Sequence, residues 1–150
     1  MRYKSTGEVH KDFHGLACAT LHYLVDHYGR EAMVDVLQST AKNVYKSIHE
    51  SLKAGEVAEL VEHLGYYLER EGGAFKLEST AAGVRLCVDD CPALRHLVKL
   101  GQKPDPILCE ATRIFNEALA DGTPFCAEVR RTGDFSCVQT FYKEGRNVSQ

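Results

Sequence analysis

Cys91 is followed directly by Pro92, between an alternating apolar run (Val84, Leu86, Val88) and a helical one (Leu94, Leu97, Val98). Proline favours the first helical position, so Cys91 is expected at a helix N-terminus, with its unpaired N–H groups and partial positive charge. A thiol held there loses its proton more easily, and the thiolate is both the nucleophile and the metal ligand among sulfur species. Cys109 is expected in the first turn of the next helix, where Pro104 and Pro106 fix the approach. Cys137 opens the last strand and shares a face with Gln139 and Phe141. Three thiols thus stand at element boundaries, where a convergent site can be built.

Two histidines are candidates to move protons for them. His14 precedes Gly15, and a residue without a side chain lets a ligand or another backbone approach closely. His96 lies five residues beyond Cys91 in the same helix, and a Cys–His pair supplies nucleophile and base. His14, Cys18 and His22 fall at i, i+4 and i+8 along one helical stripe, with His10 a turn before. Histidines at i, i+4 chelate zinc in the H-E-x-x-H arrangement, but here a cysteine stands between them and no glutamate is interposed. Cys18, Cys87 and Cys126 read as small buried residues. His63 and Tyr67, with Tyr66 beside them, read as core aromatics at helical spacing. Arg85 and Glu128 fall on the polar side of their strands and read as solvated; lining a pocket, Arg85 would grip a carboxylate.

The elements that position these residues follow from periodicity. Residues 1–11 are polar and read as a lead-in. Asp12 reads as an N-cap, followed by Phe13, Ala17, Leu21, Leu24 and Tyr28 on one stripe up to Gly29. Met33, Leu37, Ala41, Val44, Ile48 and Leu52 predict a longer helix closed by Gly55. Val57, Leu60, Val61, Leu64 and Leu68 predict a third, ended by Gly72-Gly73. The period then changes to two: Phe75 and Leu77, a turn over Thr80 to Gly83, and Val84 to Val88 form a hairpin. Short helices follow from Pro92 to Leu100 and through Leu108, Ala111, Phe115 and Leu119. Phe125 to Val129 and Cys137 to Tyr142 make a second hairpin around Thr132-Gly133-Asp134. The order αααββααββ predicts an α+β fold: residues 1–150 as one domain, the N-terminal helices packed on one face of a four-stranded antiparallel sheet.

Composition removes several function classes. The chain has 150 residues, 44% hydrophobic and 26% charged, with a net charge of -3. Basic residues are scattered, Arg130-Arg131 being the only adjacent pair, so no nucleic-acid partner is expected. No apolar run approaches the ~20 residues of a membrane span, so no membrane partner is expected. Nothing behind Met1-Arg2-Tyr3-Lys4-Ser5 resembles a signal peptide, which predicts a cytoplasmic protein. Six cysteines in that compartment mean burial, catalysis or metal before disulfides, and they include no C-x-x-C pair. No G-x-S-x-G elbow, phosphate-binding loop or dinucleotide fingerprint is present.

The second half, residues 84–142, resembles the L-2-amino-thiazoline-4-carboxylic acid hydrolase family. The resemblance lies in Cys91-Pro92 after a strand, Cys109-Glu110-Ala111 opening a helix, and Gly133-Asp134-Phe135-Ser136-Cys137 leading to Phe141. The intervals between the three cysteines are similar as well. Family members often carry an aspartate two residues after that glutamate, where Thr112 stands here. The resemblance implies a small-molecule substrate, a cyclic amidine acid opened by water to an N-carbamoyl-cysteine. More remotely, the order of elements resembles vinyl-reductase-like ligand-binding domains, whose pocket lies between helices and a four-stranded sheet.

Two functions are therefore expected. The first is hydrolysis of a non-peptide C–N bond in a small heterocycle, with Cys91, Cys109, Cys137, His14 and His96 as the site. The second is non-catalytic, a sensor or carrier holding a small molecule, haem or metal between helices and sheet. The residues name no cofactor. A homodimer formed through the first helical pair is a third, structural expectation.

Overall fold

The computed structural model describes residues 12–80 and 82–143. The lead-in expected for residues 1–11, His10 included, and Ala81 of the hairpin turn lie outside them, as does the capping side chain expected of Asp12. Helix α1 spans Asp12–Tyr28 and α2 spans Arg30–Ser39, separated by Gly29 at φ 84°. A π-helical turn, Thr40–Val44, leads to α3, Lys46–Lys53, and α4 spans Ala58–Arg70. Strands β1 (Ala74–Thr80) and β2 (Gly83–Asp90) precede α5 (Pro92–Lys99) and α6 (Pro106–Ala120). Strands β3 (Phe125–Arg131) and β4 (Cys137–Lys143) complete the fold.

The expected α+β architecture is present, with one difference in its first half. The single helix expected from Met33 to Leu52 is two α-helices joined by the π turn, in which Tyr45 N–H donates to Thr40 O at 3.2 Å. The Thr40 hydroxyl also bonds the Val36 carbonyl at 2.7 Å, drawing the chain into the wider turn. Ala41, Ile48 and Leu52 remain fully buried across it, whereas Val44, expected on the same stripe, is 64% exposed.

The sheet is antiparallel throughout, in the order β1-β2-β4-β3. Register places Val84 opposite Phe141 and Phe141 opposite Ala127; Leu86, Gln139 and Val129 align likewise, as do Val88 and Cys137. These residues share the face that meets the helices, so Cys137 does travel with Gln139 and Phe141. The opposite face carries Arg85, Thr140 and Glu128 in one row and Cys87, Val138 and Arg130 in the next. Gly83 has a positional reason: a Cβ there would stand 1.9 Å from the Phe141 carbonyl oxygen, at φ 149°. Only glycine allows β2 and β4 to approach at that point.

Two apolar cores stack across the helical layer. The inner core joins Ile48, Leu52, Leu60 and Leu119 to Val84, Phe125 and Phe141 of the sheet. The outer core joins Cys18, Leu21 and Met33 to Leu94, Leu97, Ile107 and Ile114. Among the described residues no helix is long and apolar enough to cross a membrane.

Candidate functional site

A cavity of about 280 Å³ lies where the two cores fail to meet. The starts of α1, α5, α6 and β4 and the side of α4 surround it. Cys91, Cys109, Cys137 and His14 all line it. Four of the five residues singled out from sequence thus share one hollow, although they come from four different elements.

Cys91 is the N-cap of α5, in extended backbone (φ −73°, ψ 116°), with Pro92 at the first helical position. Its N–H donates to the Phe135 carbonyl at 2.8 Å, tying the head of α5 to the turn that delivers Cys137. The Cys91 side chain makes no capping bond to α5. The first amides of a helix lack intrahelical acceptors, and Ala93 and Leu94, which carry two of them, both line the cavity.

Cys109 and Cys137 are half-buried. Burial pushes the Cys109 thiol above its ordinary value of 9.0, against the nearby Arg131 guanidinium. Burial raises Cys137 as well; the Gln139 amide opposes this by donating to its sulfur at 3.7 Å. Ionised Cys91 or Cys109 would repel a Cys137 thiolate further. Cys109 and Cys137 therefore sit in the cavity as neutral thiols. Gln139 is held in turn by the buried Asn116, whose Nδ2 donates to Oε1 at 2.8 Å.

His14 is buried and its Nε2 lies 2.7 Å from Oε2 of the equally buried Glu71, which also lines the cavity. A carboxylate on one ring nitrogen fixes the imidazole's orientation and leaves the other nitrogen as the working atom. His96 does not line the cavity. Its ring centroid is 6.2 Å from that of His14, and its Nε2 is buried without a hydrogen-bond partner among the described residues. Five residues along a helix correspond to 500° of rotation, so Cys91 and His96 leave α5 in different directions.

Sequence reasoning missed the far wall. His63 lines the cavity, and burial lowers its pKa to about 4 against the opposing pull of Glu59, so the imidazole is neutral. Tyr45 and Tyr67 meet the His63 ring edge-on, with centroids at 5.1 and 4.8 Å. Burial raises the Tyr45 phenol, with Tyr67 adding to the effect. Their helical spacing reads as core packing; the sequence signal that could have raised His63 is a histidine on the apolar side of α4. Glu71 carried no signal, because its partner lies 57 positions earlier in the chain.

The stripe on α1 divides. His14 turns to Glu71, while His22 Nε2 meets Asp105 Oδ2 at 2.7 Å. Cys18 is buried in the outer core, as expected; Cys87 and Cys126, expected to be buried, are only half-buried on the sheet's outer face. Cys91, Cys109 and Cys137 do not form a set of donor atoms within 4.8 Å among the described residues, so they make no ready metal cage. A larger groove, about 420 Å³ between α2 and α6, is lined by Arg30, Lys42 and Arg113. Those cations are paired with Glu110, Asp121 and Glu117, and the groove contains no nucleophile.

No family model matches the chain, and a search of curated proteins finds no significant match. Among solved structures, the Fe(II) unliganded H-NOX protein from K. algicida is similar, with a TM-score of 0.38 and 16% identity. The match covers 99% of this chain and 81% of that one.

Proposed function

We propose that the cavity binds a small heterocycle and hydrolyses a non-peptide carbon–nitrogen bond at a cyclic amidine carbon. The observation that carries this reading is the meeting of Cys91, the first amides of α5 and the His14–Glu71 pair in one hollow. At about 280 Å³, the hollow is just below the usual size of ligand pockets, roughly 300–1,000 Å³, and suits a one- or two-ring molecule.

In this reading the Cys91 thiol passes its proton to His14 as the sulfur adds to the amidine carbon, forming a C–S bond and a tetrahedral centre. His14 delivers that proton to the departing ring atom as its bond to this carbon breaks: nitrogen in an all-nitrogen cyclic amidine, sulfur where a 2-aminothiazoline opens to an N-carbamoyl-cysteine. Water then attacks the same carbon with His14 as base, and the C–S bond breaks to restore Cys91. The Ala93 and Leu94 amides at the head of α5 would stabilise the oxygen that develops in this second step. Glu71 positions His14. Cys109 and Cys137 wall the site as neutral thiols, and the neutral His63 ring forms part of the far wall.

A second reading, a non-catalytic carrier, is favoured by one feature. The described lining is largely aromatic and aliphatic and includes no lysine or arginine, so it holds an uncharged ring well without chemistry. Thermal shift and turnover assays on a panel of 2-aminothiazolines, with and without the ring carboxylate, separate the two. Hydrolysis predicts turnover that Cys91→Ser abolishes while the ligand-induced shift persists. A shift without turnover in the native protein supports the carrier, and turnover unchanged in Cys91→Ser removes Cys91 from the reaction.

A further inference from the structure

Three donors that the cavity does not use converge farther along α1. The Cys18 sulfur, a His22 ring nitrogen and an Asp105 carboxylate oxygen all lie within 4.8 Å of one another. Cys18 and His22 are one turn apart on α1, so their side chains rise from the same stripe. Asp105 is the N-cap of α6, and its Oδ1 accepts the Ile107 N–H at 2.9 Å. That bond fixes the carboxylate plane and leaves Oδ2 toward His22 Nε2, 2.7 Å away. Pro104 and Pro106 flank Asp105 and restrict its backbone.

We propose that Cys18, His22 and Asp105 form a three-ligand site for a borderline-soft divalent cation of the zinc type, with a fourth position open to water. Sulfur, imidazole nitrogen and carboxylate oxygen are the donors zinc takes, whereas magnesium and calcium require oxygens. Ligands on a tetrahedron with bonds of ~2.0–2.1 Å stand about 3.3 Å apart, so His22 must withdraw by about half an ångström. His22 is exposed and can do so; Cys18 is buried at 5% exposure and anchors the inner side. The Ile107 amide supplies the outer hydrogen bond that ligating carboxylates usually have. On binding, Cys18 gives its thiol proton to solvent, and no electron changes hands. The ion then clamps α1 to the head of α6, the two elements that bring His14 and Cys109 to the cavity. The inference holds whatever the cavity does.

Titration of the metal-free full-length chain with Co²⁺, followed in the near-ultraviolet and visible, tests the site. Expected is a thiolate-to-cobalt charge-transfer band saturating at one equivalent, retained when Cys91, Cys109 and Cys137 are all replaced by serine. Cys18→Ser should abolish that band. His22→Ala should weaken binding roughly tenfold or more, and His27→Ala, an exposed histidine on the same helix, should not. Absence of the band in the folded native chain overturns the proposal. So does a band that survives Cys18→Ser but disappears with the cavity cysteines. Should Cys18→Ser fail to fold, equal Co²⁺ affinities for His22→Ala and His27→Ala reject the site.

Discussion

Burial sets the states of Cys109, Cys137 and His63, and those states make predictions. Cys109 and Cys137 are raised above 9.0 by burial. Their alkylation by iodoacetamide, mapped peptide by peptide, should therefore stay slow at neutral pH and reach half its maximum only above pH 9. His63 has a folded pKa near 4 against an ordinary 6.5, so between these values the unfolded chain binds more protons than the native one. Its contribution is complete above pH 6.5 and is lost as pH falls toward 4, by about 3 kcal/mol at most. Urea midpoints should fall across that window, and His63→Gln should flatten this part of the profile. If the cavity is a hydrolase site, His14→Gln should lower kcat by roughly 10²–10⁴ with little change in KM. Glu71→Gln should produce a smaller loss of the same kind. Unaltered kcat in His14→Gln would leave Glu71–His14 as a structural pair.

At the scale of elements, the boundaries of the site were legible and its walls were not. Cys91 and Pro92 announced the start of α5, and Asp105 with Pro106 start α6 in the same way. Removing the second cap tests that reading: Asp105→Ala should lower stability by about 1 kcal/mol through loss of the Ile107 bond. Gly83→Ala should be severe, about 1–3 kcal/mol or more, because its Cβ meets the backbone of β4. The π turn escaped notice because Met33, Leu37, Ala41, Val44, Ile48 and Leu52 keep a helical apolar spacing in the sequence; the wider turn shows only in the structure, where Val44 leaves the stripe. Partners from distant elements were the least legible. The i, i+4 spacing places Cys18 and His22 together, as they are, whereas the partners of His14 and His22, Glu71 and Asp105, lie 57 and 83 positions away. Such contacts are set by how helices pack, which local spacing does not encode.

For the whole molecule, two cores and one gap explain why a cavity exists. The inner core is continuous from Leu52 to Phe141 and the outer one from Met33 to Leu97, and the starts of α1, α5, α6 and β4 leave space between them. Leu52→Ala should destabilise the fold by about 2–5 kcal/mol. The inner core does not include the thiols, so the variant should leave their relative reactivities unchanged. The central claim is that Cys91 is a nucleophile facing a hollow shaped for a small amidine. It is tested most directly by peptide mapping after brief exposure to 2-chloroacetamidine, an amidine that alkylates thiols. The account predicts one equivalent on Cys91, suppressed by an excess of 2-aminothiazoline; labelling spread over the other cysteines, or on Cys91 without protection, would contradict it.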